Sequence, residues 1–292
     1  MAKVIRGDFP GVGEHGGTPR LPGSIATLNL GPEPGAVGEN LRLAGRAIRE
    51  RCARGPSLRW VVLPELFTCG YSDLGSVHRY AEDAVSGLSA RFFAGLAREL
   101  GIFVAYGFPE SGPAGGVFDS ANLVGPGGVV ATYRKRNLVE TTLEYRVFAA
   151  GADLPVVEAG GLRVALAVCW DLGFPEVARE AAAGGAELVL APAAWREPWG
   201  AQYALSCAAR ALDSGIHLAS ANQIGDYPEA RFATPGHVYG PDGARISERL
   251  GAASVAPLDP NASELWRSSY GDTLADRGRF VGIGEGPLVV VS

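Results

Sequence analysis

Hydrophobic positions along the chain fall into short unbroken runs, separated by longer stretches in which they recur at helical spacing. Residues 24–30, 60–63, 102–106, 163–168, 187–190, 216–221 and 252–258 read as strands covered on both faces, because a half-exposed strand would alternate polar and apolar positions. Between them, Leu41, Ala44, Ala47 and Ile48 trace one face of a helix over 39–52, and further helices are predicted at 89–100, 175–183 and 200–212. Pro175 suits the first helical position, where its missing N–H costs nothing, and Gly184-Gly185 supplies a stop. Two antiparallel hairpins are predicted: 117–124 with 129–133 around Gly125-Pro126-Gly127-Gly128, and 237–239 with 244–248 around Gly240-Pro241-Asp242-Gly243. The pattern weakens from Asp259, although 288–291 reads as a further edge strand. Strand–helix alternation thus occurs twice, each time with a hairpin, which predicts mixed sheets covered by helices.

Composition narrows the function classes. The 292 residues are 47% hydrophobic and 20% charged, enough apolar material for a large core and no run long enough to span a bilayer. A formal net charge of −5 speaks against a nucleic-acid or anionic-membrane partner. Four scattered cysteines without a CxxC pair predict neither a disulfide framework nor a zinc knuckle, and a cytoplasmic location is expected. No metal and no organic cofactor is expected: the histidines lack ligand spacing, and neither G-x-G-x-x-G after the first strand nor G-x-x-x-x-G-K-[ST] occurs. The Gly/Pro-rich residues 1–23 are read as a flexible arm, 24–260 as the main domain, and 261–292 as a C-terminal extension able to form an interface.

Three polar residues stand where apolar runs end. Glu65 follows V-V-L-P, Lys135 follows the second strand of the first hairpin, and Cys169 closes the run L-R-V-A-L-A-V before the Pro175 helix. Lysine occurs only at positions 3 and 135, so an ammonium is kept at one internal place in a chain that otherwise uses arginine. A thiol, a carboxylate able to take its proton, and a cation able to favour thiolate and oxyanion are the parts of covalent catalysis. The bland alternatives are a buried inert cysteine and a surface or helix-start glutamate.

The segments that carry these residues are V-L-P-E-L-F-T-C-G-Y at 62–71, Y-R-K-R-N-L at 133–138 and C-W-D-L-G-F-P-E at 169–176. In that order they resemble the nitrilase superfamily of carbon–nitrogen hydrolases, on its amidase, carbamoylase and Nit-like side. G-A-E-L-V-L-A-P-A-A-W ending at Trp195, Ala209-Arg210-Ala211 and A-N-Q-I-G at 221–225 extend the resemblance. It implies an α/β, four-layer α-β-β-α sandwich with two mixed sheets, a homodimer built by packing such units side by side, and a catalytic Glu65, Lys135 and Cys169. It further implies Glu144 (Glu140 fits less well) as a second glutamate, and the Trp170 N–H as an oxyanion donor. Tyr71, Tyr145, Trp195 and Trp199 are candidates for an aromatic-lined pocket, and Arg146 and Arg196 for meeting a substrate carboxylate. Asn137, Asp213 and the 234–237 segment depart from the common pattern.

The expected reaction is hydrolysis of a small amide or N-carbamoyl compound through a cysteine thioester. Alternatives are hydrolysis of a nitrile through a thioimidate, acyl transfer to an amine, and a catalytically silent binding protein.

Overall fold

The computed structural model describes residues 4–5, 23–55 and 57–271. Its strands are β1 (Val4–Ile5), β2 (Gly23–Leu28), β3 (Leu58–Val62), β4 (Phe103–Ser111), β5 (Val117–Gly125), β6 (Gly128–Arg134), β7 (Val156–Ala159), β8 (Leu162–Leu166), β9 (Leu188–Ala193), β10 (His217–Asn222), β11 (Gly225–Tyr227), β12 (Ala230–Phe232), β13 (Val238–Tyr239), β14 (Glu248–Leu250) and β15 (Ala253–Leu258). The α-helices are α1 (Val37–Arg54), α2 (Leu88–Leu100), α3 (Glu144–Val147), α4 (Pro175–Ala183), α5 (Gly200–Ser214) and α6 (Ala262–Tyr270).

Two mixed sheets form the centre. One has the order β14-β15-β2-β3-β4-β5-β6, the other β1-β7-β8-β9-β10-β13, and β11-β12 is a separate hairpin. In the first, β2, β3 and β4 are parallel and the flanking pairs antiparallel; in the second, β8, β9 and β10 are parallel. The unbroken apolar runs have a direct cause. Along β3 the residues Trp60 and Val62 enter a core shared with the second sheet, while Val61 and the following Leu63 pack on the α1–α2 side. Successive side chains of a strand point to opposite faces, so both faces must be apolar when both are covered. α4 and α5 cover the second sheet through Val177, Ala181, Tyr203 and Cys207. The result is the four-layer α-β-β-α sandwich.

Helix ends follow the sequence signals. Pro175 opens α4, and α2 and α5 end at Gly101 and Gly215, whose positive φ values of 66° and 60° suit a residue without Cβ.

Several elements differ from expectation. The second hairpin reduces to one bridge between Tyr239 and Arg245; β13 pairs with β10 instead, and β14 with β15. The Gly240–Gly243 turn does form, and the Gly240 and Ile246 N–H groups donate to the Ala244 and Val238 carbonyls at 2.9 and 3.0 Å, but beyond Ile246 the Ser247 hydroxyl meets His237 and the Val238 N–H in place of a longer ladder. The stretch after Asp259, where the pattern weakens, contains α6, with Trp266 stacked on Tyr270 one turn later. Within the segment read as an arm, β1 lies parallel to β7; the rest of that segment and the expected strand at 288–291 lie outside the described residues. Among the described residues no helix is long and apolar enough to cross a membrane.

Candidate active site

Glu65, Lys135 and Cys169 come from different places in the chain and converge. Glu65 sits just past β3, fully buried, with its backbone N–H on the Ala193 carbonyl of the opposite sheet at 3.3 Å. Its position is set from behind by Gly107 of β4. A Cβ at that glycine would lie 2.4 Å from the Leu66 nitrogen and 2.6 Å from the Glu65 Cα, so only glycine allows the two backbones to close up. Leu66 itself has φ 45°, the left-handed region that side chains usually avoid.

Lys135 follows β6 and is also fully buried. Its Nζ donates to Glu65 Oε1 at 2.6 Å and lies 2.8 Å from Glu144 Oε2 and 3.4 Å from Asp119 Oδ2. Burial opposes its charge, but the fields of the nearby carboxylates, Glu65 and then Glu144, prevail and hold the ammonium well above the ordinary lysine range. Glu144 opens α3; it accepts the Val139 N–H at 3.0 Å and the hydroxyl proton of Tyr71. One oxygen from each of Glu65, Asp119 and Glu144 falls within 4.8 Å of the others, a spacing that would suit a cation. The Lys135 ammonium is that cation, seated among the three carboxyl groups.

Cys169 occupies the first position of a short 3₁₀ helix (Cys169–Gly173), three residues beyond the end of β8, with φ 45°. Burial, followed by the charge of Glu65, pushes the thiol well above its usual range, and Lys135 only partly offsets this. The ammonium was expected to favour thiolate. At rest it does not prevail, and the group held ready beside Glu65 is a thiol.

The nucleophile turn is tied to the lysine segment by Asp171. Its carboxylate accepts the Val168 N–H at 2.9 Å, the Tyr133 hydroxyl at 2.8 Å, and both the backbone N–H and the side-chain amide of Asn137, at 3.0 and 2.8 Å. Asn137, one of the departures from the family pattern, therefore links the Lys135 and Cys169 segments directly. Asp213 pairs with Arg210 at 3.2 Å on α5, and His237 meets the Ser247 hydroxyl at 3.1 Å.

The pocket candidates separate by burial. Trp195 is buried between Trp170 and Tyr203, with its backbone held on both sides by the Asn222 side chain. Tyr71 is half-buried and fixed at both ends, its N–H on Gln223 and its hydroxyl on Glu144. Tyr145, Arg146, Arg196 and Trp199 are exposed, and Glu140, the weaker choice for the second glutamate, is exposed as well. Sequence reasoning missed Asp119, Asp171, Asn222 and Gln223. The available signal was a run of polar residues inside otherwise apolar strands, Asp119-Ser120 and Asn122 in β5 and Asn222-Gln223 at the end of β10, where acidic and amide side chains are disfavoured without a reason.

A layered fold of this kind, with a buried carboxylate–ammonium pair beside a cysteine at a strand end, defines a carbon–nitrogen hydrolase. The chain belongs to the carbon-nitrogen hydrolase family, whose model matches residues 24–267, and stands on the amidase and Nit-like side of the nitrilase superfamily. It is 30% identical over 261 residues to a probable nitrilase of Schizosaccharomyces pombe, covering 87% of this chain and 95% of that protein. A variant of the amidase from Nesterenkonia sp. AN1, with the acetamide moiety of fluoroacetamide added covalently at its active-site cysteine, superimposes with a TM-score of 0.74. It shares 31% identity, over 89% of this chain and 95% of that one. The carbon-nitrogen hydrolase of Helicobacter pylori G27 has the same fold, with a TM-score of 0.79 at 20% identity over 89% of this chain and 97% of that one.

Proposed function

We propose that the protein hydrolyses a small amide or N-carbamoyl compound, with Cys169 as nucleophile, Glu65 as base and acid, Lys135 and the Trp170 N–H as oxyanion donors, and Glu144 orienting the lysine. The observation that carries this reading is the pairing of Lys135 with Glu65 and Glu144 at 2.6 and 2.8 Å inside a closed core, beside a thiol that its surroundings keep protonated. A buried ion triad of this kind contributes little net stability for its desolvation, so its presence speaks for chemistry.

In the first half-reaction Glu65 takes the Cys169 proton as sulfur attacks the carbonyl carbon. The oxygen gains negative charge beside Lys135 and the Trp170 N–H, which lies at the start of the 3₁₀ turn where helical N–H groups lack a partner within the helix. Collapse breaks the C–N bond, and the leaving nitrogen takes the proton back from Glu65, giving ammonia or an amine and a thioester. Water then gives a proton to Glu65 and attacks; the C–S bond breaks, the acid departs, and the sulfur regains its proton.

Tyr71 and Trp195, both held by hydrogen bonds, fit the role of inner pocket walls, while the exposed Tyr145, Arg146, Arg196 and Trp199 would meet the outer part of a longer or charged substrate. Exposed Leu205 and Leu212 on α5 support a side-by-side homodimer, which light scattering on the purified protein tests. Ammonia release from aliphatic amides, ω-amides, N-carbamoyl amino acids and nitriles assigns the substrate class. Turnover of nitriles alone would move the protein to the nitrile reading. Full activity in Cys169→Ala would overturn the thioester mechanism, and release from no member of the panel would favour acyl transfer or a silent protein.

A further inference from the structure

The described mechanism uses two of the three carboxyl groups around Lys135 and leaves the third, Asp119, without a task. Asp119 lies in the middle of β5, fully buried, and its backbone carbonyl accepts the Lys135 N–H at 2.8 Å. Three ionised carboxylates around one ammonium would leave two uncompensated negative charges in a dehydrated core, which is too costly to persist; the cluster must hold a proton.

The hydrogen bonds indicate where that proton resides. Glu144 is fully served as a carboxylate, by Lys135, the Val139 N–H and the Tyr71 hydroxyl. Glu65 Oε1 takes the close contact with Lys135, whereas its Oε2 has no donor. Asp119 has the poorest provision of the three. The ammonium is 3.4 Å away, and neither Asp119 oxygen receives an aligned hydrogen bond. An anion with the fewest donors is the strongest base of its group. A proton there also supplies a donor towards Glu65, since one oxygen of each side chain lies within 4.8 Å of the other.

We propose that Asp119 is a neutral positioning residue whose carboxyl O–H donates to Glu65, fixing the acceptor oxygen that takes the Cys169 proton and leaving the cluster with a single net negative charge. Other titratable groups facing this site are Cys69, Tyr71, Lys135, Glu144 and Cys169. Burial and then the charge of Glu65 push the Asp119 carboxyl well up against the pull of Lys135, in the same direction. The proposal rests on the hydrolase reading for the use made of the hydrogen bond, but not for the proton itself.

The test therefore has two independent readouts. The first is the melting temperature against pH for the whole protein and for Asp119→Asn. If Asp119 is neutral in the fold and ionised in the unfolded chain, the folded state binds the extra proton, and stability falls as pH rises above the unfolded carboxyl value. Asp119→Asn then removes that fall, and its advantage over the native protein widens towards alkaline pH. A variant that melts lower at neutral pH, with the deficit closing in acid, would mean an ionised Asp119 and would overturn the proposal. The second readout is the rate at which iodoacetamide alkylates Cys169, followed by intact mass and needing no known substrate. Asp119→Ala leaves a buried acceptor unpaired and should slow alkylation at least ~10-fold, while Asp119→Asn, which keeps an N–H donor, recovers most of that loss. Equal rates in the Ala variant and the native protein would remove the positioning role even if the proton is present. Should Asp119→Ala not fold, the pH dependence of Asp119→Asn decides alone. Absence of turnover on every amide would refute the hydrolase reading while leaving the melting result intact.

Discussion

At the scale of single residues, the site holds its reactive groups in their uncharged or paired forms until a substrate arrives. The Cys169 thiol is pushed well above the usual thiol range by burial and by Glu65. The thiolate absorbance near 240 nm, taken as the difference between the native protein and Cys169→Ala, should therefore be absent at neutral pH and develop only above the range of an ordinary cysteine. A full signal at neutral pH would mean a preformed thiolate. Lys135 has a compact ammonium that fits among three carboxyl groups, and the broad guanidinium of Lys135→Arg should cost at least ~10²-fold in kcat, comparable to removing an oxyanion donor. A variant at the native rate would refute its role. The three strand-end residues were legible in the sequence because an apolar run that stops at a charge or a thiol leaves few places for that group other than a site. Asp119 was not, since its meaning depends on which neighbour its strand faces, a matter of register that periodicity does not encode; nor was the Asn137–Asp171 link, which joins two turns that only the fold brings together.

At the scale of elements, Glu65 is held by close backbone contacts more than by side-chain packing. Glu65 is pressed between Gly107 of β4 and the Ala193 carbonyl of β9. A methyl group on Gly107 would meet backbone atoms that have no freedom to move aside. Gly107→Ala should destabilise the fold by about 1–3 kcal/mol and lower kcat, measured by chemical unfolding and by ammonia release on the assigned substrate. Unchanged stability would mean that the strand end relaxes easily. Strands and helices with covered faces were legible to within a few residues: α4 runs over Pro175–Ala183 as its proline and glycine signals require, and β5 and β6 form the first hairpin. The second hairpin forms only next to its Gly-rich turn, because beyond Ile246 its outgoing arm meets the incoming one through the Ser247 side chain. α6 was invisible, since its buried contribution is small and the apolar Leu265 and Tyr270 are exposed.

For the molecule as a whole, acid sensitivity should have an identifiable contributor. Burial, then the positive charges of Arg245 and Arg249, lower His237 to about 4. The unfolded chain binds its proton below the ordinary histidine range, the folded one only near pH 4. Stability therefore rises with pH across that interval and is lost as the solution is acidified. His237→Gln should flatten the melting temperature between about pH 6.5 and 4, after allowance for screening at this half-buried position. A slope equal to that of the native protein would assign the loss to other groups. The fold class was legible at this scale, since strand–helix alternation with hairpins predicts mixed, covered sheets. The pairing of β15 with β2 was not, because nothing in either sequence names its distant partner.

That last pairing has a consequence for how the protein is made. β2 leaves the ribosome long before β15, so its outer edge is not covered until Ala253–Leu258 has been synthesised and can lie against it antiparallel. Until then the nascent chain carries an open edge of apolar strand, a template for association with any neighbouring chain. Ribosome stalling or premature termination between these two strands would release just that species, and such fragments should accumulate as aggregates or chaperone clients, with the sheet completed only once β15 has emerged.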